Sequence, residues 1–235
     1  MIILALDTVL QACSAALCDG AGHILAVRRE RRAKGHAECL TGMIDAVLTE
    51  SGTDIADISR IGTTVGPGSF TGVRIALSAA RGIALVTGAR VCGINTLEAL
   101  ACAAGRQAGG ADVAVAIDAR RGEVYFQRFG ADIVPAGPPA LLAVEEAAGL
   151  LSEGDVLCGS GAPLLLEARH ERDGRTVAGI VSVPVEVPDA ADVAALVAAR
   201  LGGGGELLPP LPLYIRKPDA KLPMPRSENN VRRNS

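Results

Sequence analysis

Two carboxylates stand where apolar, strand-like runs end: Asp7 after Ile2 to Leu6, and Asp118 after the run that begins at Val113. An acid at such a place fits either a group facing a metal or phosphate, or an Asx turn that closes a hairpin. Thr8 follows Asp7 directly, and a cleft between two halves of the chain would bring Asp7 and Asp118 face to face. The turn Gly159-Ser160-Gly161-Ala162, after another short apolar run, either lets backbone approach a nucleotide closely or simply joins a strand to a helix. Asp7, Thr8, Asp118, Gly159 and Gly161 are therefore the candidate nucleotide-binding residues. His36 opens an amphipathic stretch, and a helical metal pair needs a second histidine one turn on; that position is Leu40. His23 and His170 lie in a turn and a charged helix end, so the sequence assembles no metal cluster. Ser69 has no GxSxG frame around it, which argues against a serine hydrolase.

The elements that must hold these residues begin with the most specific text in the chain, GPGSFTGVRIALSAARGIAL, Gly66 to Leu85. The apolar run before it reads as a buried strand, and Gly66-Pro67-Gly68 forces a sharp exit. Ser69 or Thr71 caps a helix whose Val73, Leu77, Ala80 and Ala84 form one face, with Gly72, Ala76, Ala79 and Gly82 or Ile83 on another. No Lys-Ser or Lys-Thr follows the glycines, so this is not a Walker loop; the turn serves either structure alone or a ligand or partner surface. Small residues on one side and aliphatic ones on the other suit a helix lying between a sheet and a second helix, which need not belong to this chain.

Around it, Ile2 to Leu6, Cys13 to Cys18 and Ile24 to Glu30 predict a β-meander, and Ala37 to Glu50 an amphipathic helix. A strand at Arg90 to Ile94 leads to a helix capped by Asn95 or Thr96. The compositional break at Gly105 to Gly110 divides the chain into domains of residues 1–108 and 109–215. Beyond it a strand pair, Val113 to Asp118 and Glu123 to Phe129, repeats the opening pattern, a hint of duplication. Helices are expected near Val144 to Ser152, Pro163 to His170 and Ala190 to Leu201, a strand at Val156 to Cys158, and an extended stretch over Val177 to Val187, at a sheet edge because of Pro184. The proline-rich LLPPLPLYIR runs extended, back onto the body. Residues 216–235, with Lys221, Arg226, Arg232 and Arg233, predict a mobile basic tail.

At 49% hydrophobic and 21% charged, the 235-residue chain has an ordinary soluble globular composition, not a disordered one. A formal charge of -3 and an aromatic content of 2% argue against autonomous nucleic-acid binding, so any RNA must be held largely by something else. The six cysteines lack a CxxC pair and read as reduced, buried residues. The opening MIILALDT has no basic stretch and reads as a strand, and no uncharged run is long enough for a membrane helix, so a cytoplasmic protein without membrane contact is expected.

ALDT, His36, VGPGSFTGVRIALSAARGIAL, GINTLEALA, IDARRGEVY and PLYIRKPDAK, in this order and spacing, resemble the TsaB (YeaZ) family of tRNA threonylcarbamoyladenosine biosynthesis proteins. The resemblance runs from residue 2 to about 129 and returns at PLYIR. It implies the actin-like ATPase (ASKHA) fold, an α/β architecture of two related domains, each with a mixed sheet flanked by helices. It also implies a role: a non-catalytic paralogue of TsaD, the subunit that holds a metal on paired helix histidines and transfers threonylcarbamoyl to the adenosine next to the anticodon. Partners implied are that TsaD-type paralogue, a TsaE-type ATPase, tRNA through the complex, and a second copy when the chain is alone. The implied pairing surface is two N-terminal helices, with His36, Leu40, Met43, Val47, Gly72, Ile75, Ala76, Ala79 and Ile83 at the interface. Thr8-Val9-Leu10-Gln11 lacks the glycine that lets a phosphate hairpin close on ATP, and DARRG sets bulky charges after Asp118. The expectation is no cofactor of its own, with ATP bound weakly or within the complex. The alternative is an independent enzyme of this fold, an ATPase or small-molecule kinase using Asp7 and Asp118, or a glycoprotease-like peptidase.

Overall fold

The computed structural model describes residues 1–173, 179–203 and 206–216. Strands β1 (Ile2–Asp7), β2 (Ala12–Asp19) and β3 (Ile24–Arg31) form an antiparallel meander. Helix α1 (His36–Ser51) and a 3-10 turn, Ile55–Asp57, lead to β4 (Ile58–Thr64), parallel to β1. Helix α2 (Phe70–Thr87), β5 (Arg90–Ile94) and α3 (Thr96–Ala108) complete a five-stranded sheet ordered β3-β2-β1-β4-β5. The second half repeats this course: β6 (Val113–Arg120), β7 (Glu123–Phe129), β8 (Ala140–Ala143), α4 (Val144–Gly149), β9 (Val156–Cys158), α5 (Ala162–Asp173), β10 (Val181–Ser182) and α6 (Ala190–Gly203), with sheet order β10-β9-β6-β7-β8. Element for element, β6 stands for β1 and α6 for α3. The hint of duplication in the sequence is thus a full repeat, two related α/β halves, each a mixed sheet flanked by helices.

Strand β8 is not visible in the sequence, because Ala140 to Ala143 is too short and too uniformly apolar to alternate. The extended stretch expected over Val177 to Val187 is a strand only at Val181–Ser182, on the sheet edge; residues 174–178 of that expectation lie outside the described residues. The basic tail beyond Arg216 also lies outside them.

Both faces of the first sheet are covered, which is why β1 and β2 read as unbroken apolar runs. Period-two alternation sends Leu4 and Leu6 toward α1 and α2, where they meet Leu40, Ile44, Val47, Ala76 and Ala80. It sends Ile3 and Ala5 the other way, against Val193 and Val197 of α6. The third helix of each half therefore leaves its own sheet: α6 packs on the first, while Leu97, Leu100 and Ala104 of α3 pack on Val113, Val115, Ile117 and Phe129 of the second. A buried ion pair, Glu98 with Arg200, ties α3 to α6 where they cross. This exchange locks the two halves along their common wall.

The segment 206–216 returns to the N-terminal half. Leu208 exchanges backbone hydrogen bonds with Gly93 on the edge of β5, at 2.8 and 3.2 Å, and the Leu213 N–H donates to the Val65 carbonyl at 2.7 Å. The Arg81 guanidinium donates to the Pro210 carbonyl at 2.5 Å, Tyr214 stacks on Phe70 with ring centroids 5.5 Å apart, and Arg216 pairs with Glu123 at 2.5 Å. The strap runs along the flank of α2 and ends on the second half. Helix α2 is the one described helix whose length and apolarity would match a membrane span, yet Arg74 and Arg81 lie within it and its inner face is packed on β4.

Candidate functional site

Two surfaces gather the residues that the sequence singled out: a cleft between the halves, and a groove between α1 and α2. The cleft has a volume of about 540 Å³, with Val9, Leu10, Gln11 and Ser69 on one side and Ile117, Asp118, Arg120 and Ser160 on the other. Arg31, Arg32 and Glu186 stand at its rim.

Asp118 lines this cleft, but Asp7 does not face it. Asp7 is fully buried beneath the β1–β2 turn, where its Oδ1 accepts hydrogen bonds from the Thr64 hydroxyl at 2.5 Å and the Val9 N–H at 3.3 Å. Its Oδ2 has no protein partner among the described residues. Burial pushes its pKa up to about 7, against the lowering effect of those two hydrogen bonds. The paired acidic site expected from the sequence is therefore not assembled, because the β1–β2 turn folds over Asp7. Thr8 turns away as well: its hydroxyl donates to the Gly72 carbonyl at 2.7 Å and anchors the start of α2. Gly159 and Gly161 also serve packing. A Cβ on Gly159 would stand 2.1 Å from the Ala116 carbonyl oxygen, and one on Gly161 would stand 2.9 Å from Val124, so this turn lies hard against β6. Of that group, Asp118 alone lines the cleft, and it is occupied: its carboxylate accepts from the Arg120 N–H at 2.7 Å and pairs with the Arg120 guanidinium at 3.0 Å. Among the described residues, no three His, Cys, Asp or Glu side chains gather as metal ligands.

The groove between α1 and α2, about 520 Å³, is lined by Ala37, Leu40 and Thr41 of α1 and by Phe70, Arg74, Ile75, Ser78 and Ala79 of α2. Ser69 is the cap of α2, its hydroxyl accepting from the Gly72 N–H at 3.2 Å. Five of the nine interface residues expected from the resemblance, Leu40, Met43, Val47, Gly72 and Ala76, are buried inside the chain. Gly72 is small because a Cβ there would come within 2.1 Å of the Thr8 carbonyl oxygen, so the chain's own β1–β2 turn fills the space that a partner helix was expected to use. Ile75, Ala79 and Ile83 are half-buried, and His36 sits at the start of α1 with its Nε2 3.2 Å from the Leu10 carbonyl oxygen. The outward face is another stripe, Phe70, Arg74, Ser78 and Arg81, continued by Leu85 and Val86, which are 88% and 82% exposed. Its recurrence at three and four residues is the sequence signal for this outward stripe. Phe70 and Tyr214 are the exposed aromatic rings among the described residues, and the Arg74 guanidinium lies 3.6 Å above the Phe70 ring.

A family model for TsaD, tRNA N6-adenosine threonylcarbamoyltransferase, matches residues 27–168. The structure of YeaZ from Pseudomonas aeruginosa superposes with a TM-score of 0.76 at 31% identity, over 91% of this chain and 99% of that one. The chain belongs to the TsaB (YeaZ) family. The Escherichia coli protein named tRNA threonylcarbamoyladenosine biosynthesis protein TsaB is 42% identical over 135 residues, 56% of either chain. The match thus spans about half the length of that TsaB relative. An uncharacterised protein of Mycobacterium tuberculosis is 35% identical over 222 residues, 93% of both chains.

Proposed function

We propose that this chain is a non-catalytic, activating subunit of tRNA threonylcarbamoylation, which acts by pairing through the α1–α2 face with a metal-binding TsaD-type paralogue. The observation that carries the reading is the groove: a largely apolar trough between two helices, with exposed Phe70 in its lining and exposed Leu85 and Val86 further along α2, in a member of the TsaB family. Apolar helix faces left in water are costly, and helices of a related chain would cover them by ridges-into-grooves packing. Alone, two copies would cover the same face in a homodimer. A TsaE-type ATPase would act on the assembled pair, tRNA would be met through the complex, and the site of action would be the cytoplasm. The chain would bring no cofactor of its own. The sealed Asp7 and the Asp118–Arg120 pair favour weak ATP contact, or a share in a site completed by the partner, over an ATP site within this chain.

The test is light scattering on a sizing column with the chain alone and mixed with the paralogue from the same cell. A shift to a one-to-one complex is expected. Ser78→Arg sets a bulky cation into the groove from an exposed position, so it should abolish the shift while leaving the melting temperature unchanged. No shift with the wild-type chain at micromolar concentration, or wild-type assembly by the Ser78→Arg variant, refutes the pairing surface.

A further inference from the structure

We propose that the rim of the interdomain cleft binds the phosphate backbone of RNA, with Arg120 on one wall, beside Arg121 at the tip of the same hairpin, and Arg31 and Arg32 on the other. The inference rests on the tRNA-modification reading above and adds a direct contact to it. Phosphate binding in a cleft draws on backbone N–H groups or on cationic side chains. Here several of the backbone groups are already engaged. The Val9 N–H donates to Asp7, that of Asp118 to Ser160 at 3.1 Å, and that of Arg120 to Asp118. Those of Gly159 and Gly161 go to the carbonyls of Val185 and Ala116, at 2.8 and 2.9 Å. An anion in this cleft therefore draws chiefly on side chains.

Those side chains are arginines, set where RNA can reach them. Arg31 and Arg32 pair with Glu186 and Glu30, each at 3.0 Å, and Arg120 with Asp118. A guanidinium has five N–H donors, and one carboxylate leaves donors for a phosphate on Arg31 and Arg120; Arg32, which also donates to the Gly35 carbonyl at 2.6 Å, has fewer to offer. The Arg120 side chain is 78% exposed.

The turn that carries Arg120 and Arg121 is built against backbone preference. Arg121 and Gly122 form a two-residue hairpin loop with φ of 60° and 72°, a place that favours Asn-Gly. Arg120, at a shift in the β6–β7 register, is also left-handed, with φ 65°. Such bulges re-aim side chains, and here Arg120 is brought onto the cleft wall. Two consecutive arginines in a conformation that disfavours any Cβ are retained strain, and such strain gathers at functional positions.

The experiment measures tRNA affinity by fluorescence anisotropy across a salt series, on the chain alone and on its complex with the paralogue. It compares wild type with the Arg120→Gly/Arg121→Asn double variant. The double variant should bind about tenfold more weakly at low salt. Its plot of log affinity against log salt should be shallower by about 1.4 to 1.8, two phosphate contacts' worth. Because the replacement residues suit the turn, its melting temperature should rise by a few degrees while pairing with the paralogue is unchanged. A purely structural turn would not join higher stability to weaker RNA binding. An Arg120→Lys/Arg121→Lys variant should keep most of the salt slope. Wild-type affinity and slope in the double variant overturn the proposal, as does displacement of the RNA by micromolar ATP, which would make the rim a nucleotide site. Failure to pair with the paralogue refutes the subunit reading instead, and the measurement on the chain alone still decides the rim.

Discussion

The buried carboxylate of Asp7 makes stability depend on pH in a direction opposite to that of most acidic residues. Its folded pKa is raised from 3.8 to about 7, chiefly by burial. The unfolded chain releases this proton near 3.8, whereas the folded chain holds it until about 7. The folded state therefore binds more protons between those values, and stability is fully present below about pH 4 and is lost as pH rises through 7. From pH 5 to 8 the loss extends over about two pH units, or ~3 kcal/mol at 1.36 kcal/mol per unit. Asp7→Asn keeps an acceptor for Thr64 and Val9 and removes the charge. It places an amide where, among the described residues, Oδ2 stands without a partner, which costs ~1–3 kcal/mol at every pH. Urea unfolding of both proteins at pH 5 and pH 8 separates the two effects, because all other groups titrate alike in each. The wild type should lose about 3 kcal/mol more than the variant over that interval, leaving the variant equal or better at pH 8. A difference between the two proteins that does not change with pH refutes the assignment of a protonated, sealed Asp7.

Three further outcomes follow from packing. Gly72→Ala, whose Cβ would meet the Thr8 carbonyl oxygen at 2.1 Å, should destabilise the fold by ~1–3 kcal/mol or more and loosen the α2 start, read as a lower urea midpoint. Ser69→Ala should cost ~1 kcal/mol through loss of the α2 cap, with no change in pairing with the paralogue. Glu98→Ala would strand the Arg200 guanidinium between α3 and α6, at a cost of ~3–5 kcal/mol; Glu98→Met with Arg200→Met should recover most of the loss in thermal unfolding.

Much of the fold was legible because local signals agreed. The opening meander is written in Ile2 to Leu6, Cys13 to Cys18 and Ile24 to Glu30, and the structure extends these runs by a residue or two. Ser69 and Asn95, each named as one of two possible caps, are the residues that cap α2 and α3. The TsaB likeness could be read from short strings because GPGSFTG and DARRGEVY each answer to local geometry: a strand-to-helix turn in one, a left-handed hairpin in the other.

What sequence alone determined was thus the order and kind of most elements, the caps, the family and the position of Asp118 at the end of a strand. Tertiary structure decided which way side chains face, and there the sequence has no say. Gly72 and Ala76 suit a partner helix by size, yet Gly72 faces the chain's own β1–β2 turn and Ala76 its own apolar core, while Phe70, Arg74 and Ser78 meet solvent. Asp7 and Asp118 hold equivalent places in the two halves, but one is sealed and the other lines the cleft. Likewise α3 and α6 pack on each other's sheets, an exchange no local pattern announces. A helix carries its apolar stripe in its own residues, but which surface covers that stripe depends on contacts between positions as distant as Ile3 and Val197. Such contacts form only when the whole chain has closed.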